Sequence, residues 1–265
     1  MHRALLVLAA VALPLAAADP KERKDDILKL FVSEFATIAP GMANFPASFK
    51  MGAEDGRDNE KPVRTVTLKR PFKIARYEVT QELYEAVMGA NPSKWKGPRN
   101  SVEVVSWAEA NDFCKKATAE LRERKLIGAD ESVRLPTEAE WEYACRAGTT
   151  TRYSFGDKDG DLGEYAWWTG NAKGNDPPVG KKKANPWGLY DMHGYIWEWV
   201  QDAWHPNYED APTDGSARDA KDAKERVARG GAWTEKADAC RSAYRGHYPA
   251  DTRSDAIGFR CVLTK

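Results

Sequence analysis

The sequence predicts an α+β fold, a single compact domain whose first half mixes helices with short strands and whose second half is loop-rich. Three observations support this class. Residues 48–79 contain strand-like runs, and residues 81–146 contain helical segments. From about residue 147 the chain is rich in glycine, proline, asparagine, aspartate and tryptophan, and no helical period survives. We therefore expect one unit with much irregular backbone.

The strand-like runs have the apolar and β-branched residues that short strands favour. They are SFKMG (48–52), VRTVTL (63–68) and FKIARYEV (72–79), and the second run alternates apolar with polar residues. These runs predict a small sheet in the first half of the domain.

Three helices are predicted from their end signals. Thr80 can cap the helix QELYEAVM, which ends at Gly89, where a left-handed residue is required. Two later helices begin with a capping box, in which a Ser or Thr pairs with a Glu three residues later: Ser106 with Glu109, and Thr137 with Glu140.

The first eighteen residues have the pattern of a cleaved secretory signal. An early basic residue precedes a Leu/Ala/Val run with a small-residue end, and cleavage is expected after Ala18. The run is short for a membrane span, and a retained signal anchor is the alternative. Residues 19–36 then form a charged helical lead-in and residues 37–265 the domain, which we expect to be exported without a membrane span after signal removal.

The balance of charges disfavours two classes of partner, and the aromatic content indicates how the core is built. Lys plus Arg and Asp plus Glu each number 40, so no bulk field favours nucleic acid or anionic lipid. Ten tryptophans indicate that aromatic rings supply much of the core.

Four cysteines in an exported chain predict two disulfide bonds, with three possible pairings. The histidines at 193, 205 and 247 lack the spacing of a metal site.

Four longer motifs occur in order along the chain: RLPTEAEWEYACRAG (134–148), NPWGLYDMHGYIWEWVQD (185–202), RGGAWTEKADACRSAYR (229–245) and IGFRCVL (257–263). Together they resemble the formylglycine-generating enzyme domain, also called the sulfatase-modifying factor family, and the resemblance extends over residues 37–263. It implies a single domain with C-type-lectin-like topology, in agreement with the α+β prediction.

The resemblance implies an oxidase chemistry that this chain matches incompletely. Enzymes of the family convert a sulfatase cysteine to formylglycine with O₂ and a copper(I) held by two thiolates, which suit this soft ion. Here the first thiolate position falls on Glu235 and, without a gap, the second falls on Cys240. We therefore expect a non-catalytic domain that lacks the copper–thiolate pair and binds an unknown protein or peptide.

Two other functions are left open. One is a sulfatase-maturing oxidase that uses copper and Cys240, and the other is a metal-assisted oxidation that relies on carboxylates or arginines instead of thiols. The missing thiolate at Glu235 favours a non-catalytic binding domain over the sulfatase-maturing oxidase.

The resemblance also assigns the four cysteines to structural bonds. The two bridges of the family map to Cys114–Cys261 and Cys145–Cys240. In that pairing Cys240 is half of a disulfide bond and not a reactive thiol.

A calcium site is implied in the segment DMHGYIWE. The family binds Ca²⁺ there through two side chains and two backbone carbonyls, which match Asp191, Gly194, Ile196 and Glu198. Oxygen ligands in an irregular loop suit this ion. The chain departs from the family at Tyr195, where an asparagine is usual, and the alternative is that the two carboxylates only accept loop hydrogen bonds.

Arg241 and Arg245 match an Arg-x-Ala-x-Arg element of the family. Guanidinium groups can bind a carboxylate or phosphate of a ligand through two hydrogen bonds. The alternative is that both arginines are buried ties between loops.

Overall fold

The computed structural model describes residues 19–42, 44–174, 176–220 and 222–265, so the predicted signal at 1–18 lies outside the described residues. The helices in these ranges are Pro20–Ser33 (α1), Gln81–Met88 (α2), Trp107–Glu123 (α3), Glu138–Arg146 (α4) and Leu162–Tyr165 (α5). The strands are Phe35–Ile38 (β1), Ser48–Met51 (β2), Arg64–Thr67 (β3), Phe72–Ala75 (β4), Ser132–Arg134 (β5), Trp197–Ala203 (β6), Glu225–Arg229 (β7), Gly246–Pro249 (β8), Ile257–Gly258 (β9) and Val262–Thr264 (β10).

The strands form two four-stranded sheets and one two-stranded sheet. The strand orders are β1-β4-β10-β5, β8-β7-β6-β9 and β2-β3, and the pairing is antiparallel except between β6 and β9. The last strand, β10, lies inside the first sheet, so the first and last strands belong to the same sheet. The predicted runs at 48–52 and 63–68 form β2 and β3, whereas the run at 72–79 is a strand only as far as Ala75.

The predicted capping boxes of α3 and α4 are confirmed. The backbone N–H of Ser106 donates to Glu109 Oε2 at 2.9 Å, and that of Thr137 donates to Glu140 Oε2 at 2.9 Å. Both helices also have the reciprocal bond from the glutamate N–H to the hydroxyl. Gly89 ends α2 with φ at 87°, as its left-handed role requires.

The start of α2 is stabilised differently from the prediction. Thr80 precedes the helix, but its hydroxyl makes no capping bond and is buried without a partner. The N–H groups of Gln81 and Glu82 donate instead to the backbone carbonyls of Asn100 at 2.9 Å and Pro98 at 3.0 Å. A neighbouring loop therefore caps this helix.

The segment 19–36, the predicted helical lead-in, packs against the domain. Leu28 and Phe31 of α1 are buried in the core cluster that also holds residues of α2 and α3. Strand β1 pairs with β4 along residues 35–38, so the predicted boundary at 36/37 falls inside a strand. None of the helices in the described ranges is long and apolar enough to cross a membrane.

Helix α4 is buried along its whole length, although it carries several charged residues. Glu142 pairs with Arg146 at 2.8 Å and with Arg229. Glu138 pairs with Arg245 at 2.7 Å and lies 3.6 Å from Arg229. Buried charges are tolerated when they are paired and hydrogen-bonded, and Arg229 here lies between two carboxylates.

Replacing Arg229 with leucine should strongly destabilise the protein. The variant leaves Glu142 without this partner and also removes the bonds from Arg229 to the carbonyls of Ala243 and Ser242. Breaking a buried ion pair costs about 3–5 kcal/mol of unfolding free energy, measured by urea denaturation. Lys115→Leu, which removes an exposed pair with Asp112, is the control and should unfold near the wild-type midpoint. Equal midpoints for the two variants would contradict this role of Arg229.

Candidate functional site

The turn after β7 requires glycine at both of its first positions. Gly230 has φ at 100° and Gly231 has φ at 77°, where other residues are strained. A Cβ on Gly231 would lie 2.9 Å from Cys240 Sγ. The turn therefore packs directly against the short 3₁₀ segment at 237–240, and both predicted copper positions belong to this compact element.

The two predicted copper positions have unlike surroundings. Glu235 is partly exposed, and its Oε1 accepts a hydrogen bond from Trp197 Nε1 at 3.4 Å. Cys240 is fully buried, and its Sγ lies 3.8 Å from the carbonyl oxygen of Lys236. Burial raises the pKa of Cys240, and the charges of Glu235 and Asp238 raise it further. The thiolate form of Cys240 is therefore disfavoured.

The structure contains neither predicted disulfide bond, and all four cysteines are buried thiols. The Sγ atoms of Cys114 and Cys261 lie 3.9 Å apart, beyond the bond length of about 2.05 Å. Cys145 Sγ instead lies 3.5 Å from the carbonyl oxygen of Met192 and 3.8 Å from the nearest nitrogens of His193. The first predicted pair is adjacent, whereas the sulfurs of the second pair have other neighbours.

His193, which has no ligand spacing in the sequence, connects two cysteine-containing segments. The backbone N–H of Ser154 donates to Nε2 at 3.1 Å, so Nε2 is an acceptor. Nδ1 therefore carries the hydrogen and donates to the carbonyl oxygen of Cys240 at 2.9 Å. Cys145 Sγ is 3.8 Å from both ring nitrogens, farther away than these two partners. His193 is thus held as a neutral structural group and is not placed to act as a base toward Cys145.

The predicted calcium ligand Glu198 already has other partners. Its two oxygens accept two hydrogen bonds from Arg260 at 2.6 Å each, and Oε2 also accepts one from Trp141 Nε1 at 2.8 Å. Asp191 accepts one bond, from the N–H of Gly180 at 2.8 Å, and its Oδ1 is buried without a partner. Asp191 could accept a cation, but Glu198 is neutralised inside the fold.

The remaining two predicted calcium ligands are the backbone carbonyls of Gly194 and Ile196. Between them, the Tyr195 hydroxyl lies 2.6 Å from the carbonyl oxygen of Pro177 and 2.8 Å from Asp176 Oδ1, so its hydrogen is used within the fold. No group of three or more His, Cys, Asp or Glu side chains in the described ranges is arranged to hold a metal. Arg260 supplies the positive charge at Glu198, and calcium binding stays a prediction that these contacts do not favour.

Arg241 and Arg245, the predicted ligand-binding candidates, are instead internal ties. Arg241 forms two hydrogen bonds of 2.7 Å with Glu60, and Arg245 pairs with Glu138. Both arginines are buried. Since their donors are used within the fold, the alternative of buried ties between loops describes them better than ligand binding.

The aromatic residues around Glu235 were not predicted from the sequence. The ring of Trp197 lies 5.8 Å from that of Tyr244 and 6.1 Å from that of Tyr248, between ring centroids. Both tyrosines are partly exposed. The abundance of tryptophan indicated an aromatic core, but nothing local indicated that these three rings would gather beside one carboxylate.

The chain is similar to proteins of one family over most of its length. Residues 33–265 match the model of the Sulfatase-modifying factor enzyme 1-like domain. The formylglycine-generating enzyme of Mycobacterium tuberculosis is 36% identical over 81% of this chain and 94% of its own. The inactive C-alpha-formylglycine-generating enzyme 2 of Bos taurus is 28% identical, over 81% of this chain and 84% of its own.

A solved structure agrees with the fold. Treponema denticola variable protein 1 superposes with a TM-score of 0.75 at 29% identity, covering 86% of this chain and 94% of that protein. The predicted α+β class, a single loop-rich domain of C-type-lectin-like topology, is therefore confirmed. From the matched domain, the related enzymes and the shared fold, we conclude that this chain belongs to the formylglycine-generating enzyme, or sulfatase-modifying factor, family.

Proposed function

We propose that this protein is an exported, non-catalytic member of its family that binds a protein or peptide. The observation that carries the proposal is the pair of residues at the thiolate positions. The first is Glu235, and the second is Cys240, whose sulfur is buried beside a backbone carbonyl. Copper(I) prefers soft sulfur ligands, and a carboxylate with one buried thiol does not fit that preference.

The alternative function is oxidation of a sulfatase cysteine to formylglycine, with copper as cofactor. The identity of 36% with the mycobacterial enzyme favours it. It would require Cys240 to bind copper as a thiolate, and burial of this residue opposes ionisation of its thiol. A bovine relative whose name calls it inactive supports the idea that this scaffold persists without the oxidase chemistry.

Export and disulfide bonding belong to the same proposal. The sequence of residues 1–18 resembles a secretory signal, and thiols oxidise outside the cytoplasm. Cys114 and Cys261 are adjacent in the fold, so we propose that they form a bond in the exported protein. A bond between Cys145 and Cys240 would require both sulfurs to leave their present neighbours, and it stays a prediction.

The protein should form no formylglycine on a sulfatase-type Cys-x-Pro-x-Arg peptide. The reason is that Glu235 and Cys240 do not provide the two soft donors that copper(I) requires. The peptide is incubated in air with copper(I)-treated protein, and mass spectrometry follows conversion of the thiol to an aldehyde. The related mycobacterial enzyme is the positive control. Aldehyde above a metal-free control would overturn the proposal, and Cys240→Ser would then test whether that residue is responsible.

His193 should make the protein less stable in acid. Burial lowers the pKa of His193 to about 4, against 6.5 in the unfolded chain. The unfolded state therefore binds a proton first, and stability falls as pH drops from 6.5 towards 4. Between pH 7 and pH 5 this residue should remove about 2 kcal/mol of unfolding free energy.

Urea denaturation of His193→Gln at both pH values checks this expectation. The variant should have a correspondingly smaller loss of stability between pH 7 and pH 5 than the wild type. The exposed His247 provides the control variant His247→Gln, which removes an imidazole outside the core. An unchanged slope in His193→Gln would contradict the buried, neutral state of this residue.

A further inference from the structure

One carboxylate and three aromatic rings form a surface that we name the aromatic site: Glu235, Trp197, Tyr244 and Tyr248. The indole N–H of Trp197 donates to Glu235 Oε1 at 3.4 Å, and the tyrosine rings lie 5.8 Å and 6.1 Å from the Trp197 ring. Trp197 is 3% exposed, whereas the other three residues are partly exposed. The site therefore has a fixed floor and accessible sides.

The negative charge of Glu235 acts on both tyrosine hydroxyls. Burial raises the pKa of Tyr248, and the negative charge of Glu235 raises it further. Burial also raises the pKa of Tyr244, where Arg57 acts in the opposite direction and Glu235 adds to the rise. No Lys, Arg or His in the part of the chain that the structure describes forms an ion pair with Glu235. The negative charge of this site is therefore not neutralised within the described chain.

The protein already places two cations on one ring of this site, that of Tyr244. The Cζ atom of Arg57 lies 4.4 Å from the centroid of Tyr244, within the range of about 6 Å for cation–π contact. The same guanidinium lies 3.6 Å from the carboxylate of Asp238. The Cζ atom of Arg241 lies 5.5 Å from the same centroid. Tyr244 thus accepts positive charge from within the chain, and Glu235 and Tyr248 are left for an external cation.

We propose that the aromatic site binds an alkylammonium group, the group carried by a lysine side chain of a protein or peptide partner. Glu235 supplies the opposite charge and a hydrogen-bond acceptor, and the partly exposed ring of Tyr248 attracts the cation and covers its alkyl stem. A thiolate at position 235 would suit a soft metal, whereas a carboxylate suits a hard, hydrogen-bonding cation. This inference rests on the proposed function and specifies the chemistry of the ligand.

The test compares two matched probes. Nα-acetyl-lysine methylamide carries the ammonium group, and Nα-acetyl-norleucine methylamide retains the alkyl chain without it. Binding is followed by NMR through the indole N–H resonance of Trp197, which Trp197→Phe identifies by its loss. The lysine probe should bind at least about ten-fold more tightly than the norleucine probe, because only it adds charge pairing and cation–π contact.

Charge removal at Glu235 supplies the second comparison. Glu235→Gln keeps the shape of the side chain and should weaken binding of the lysine probe by about ten-fold. Glu225→Gln removes another partly exposed carboxylate, which pairs with His247, and should leave binding unchanged. Melting temperature and the remaining NMR resonances check that both variants fold. Equal affinity for the two probes, or unchanged affinity in Glu235→Gln, would overturn the inference.

Failure of this inference can be distinguished from failure of the proposed function. Aldehyde formation on the sulfatase-type peptide would overturn the non-catalytic proposal, whatever the lysine probe does. Absence of a Trp197 shift with the lysine probe, in protein that forms no aldehyde, would overturn the aromatic-site inference alone.

Discussion

Two buried carboxylates on α4, those of Glu138 and Glu142, anchor the C-terminal half of the domain. Arg229 lies between them, and Arg245 pairs with Glu138. Arg229 also donates to the backbone carbonyls of Ala243 and Ser242. These carbonyls lie in a loop, where no strand partner in the described chain donates to them. The guanidinium groups therefore pair with the carboxylates of α4 and donate hydrogen bonds to the carbonyl oxygens of the loops. The irregular second half depends on charges that the regular first half contributes.

This division of roles explains how the site can change while the fold persists. Arg241, next to Cys240 in sequence, is tied to Glu60, and the glycine turn packs on Cys240 itself. Glu235 makes none of these ties and lies partly exposed. A carboxylate at this position thus sets the surface chemistry without changing the supporting contacts.

Features set within a few residues were predictable from the sequence, and features set by distant partners were not. The capping boxes at Ser106 and Thr137 need only a glutamate three residues later. By contrast, Arg241 finds Glu60 at a separation of 181 residues, and no local pattern reveals that pair. Strand β6 escaped prediction because six of its seven residues are buried, which removes the alternation of polar and apolar side chains. The exchange at Glu235 was visible in a motif, whereas its aromatic neighbours come from other segments.

The central claim is that Cys240 belongs to the interior and is not a copper-binding thiolate. Alkylation of the folded protein with iodoacetamide at neutral pH, mapped by mass spectrometry, measures this directly. The expected result is no modification of Cys240 in the folded state and full modification after reduction and unfolding, because burial opposes both access and ionisation. Rapid modification of Cys240 in the folded protein, with the other three cysteines unmodified, would contradict the claim.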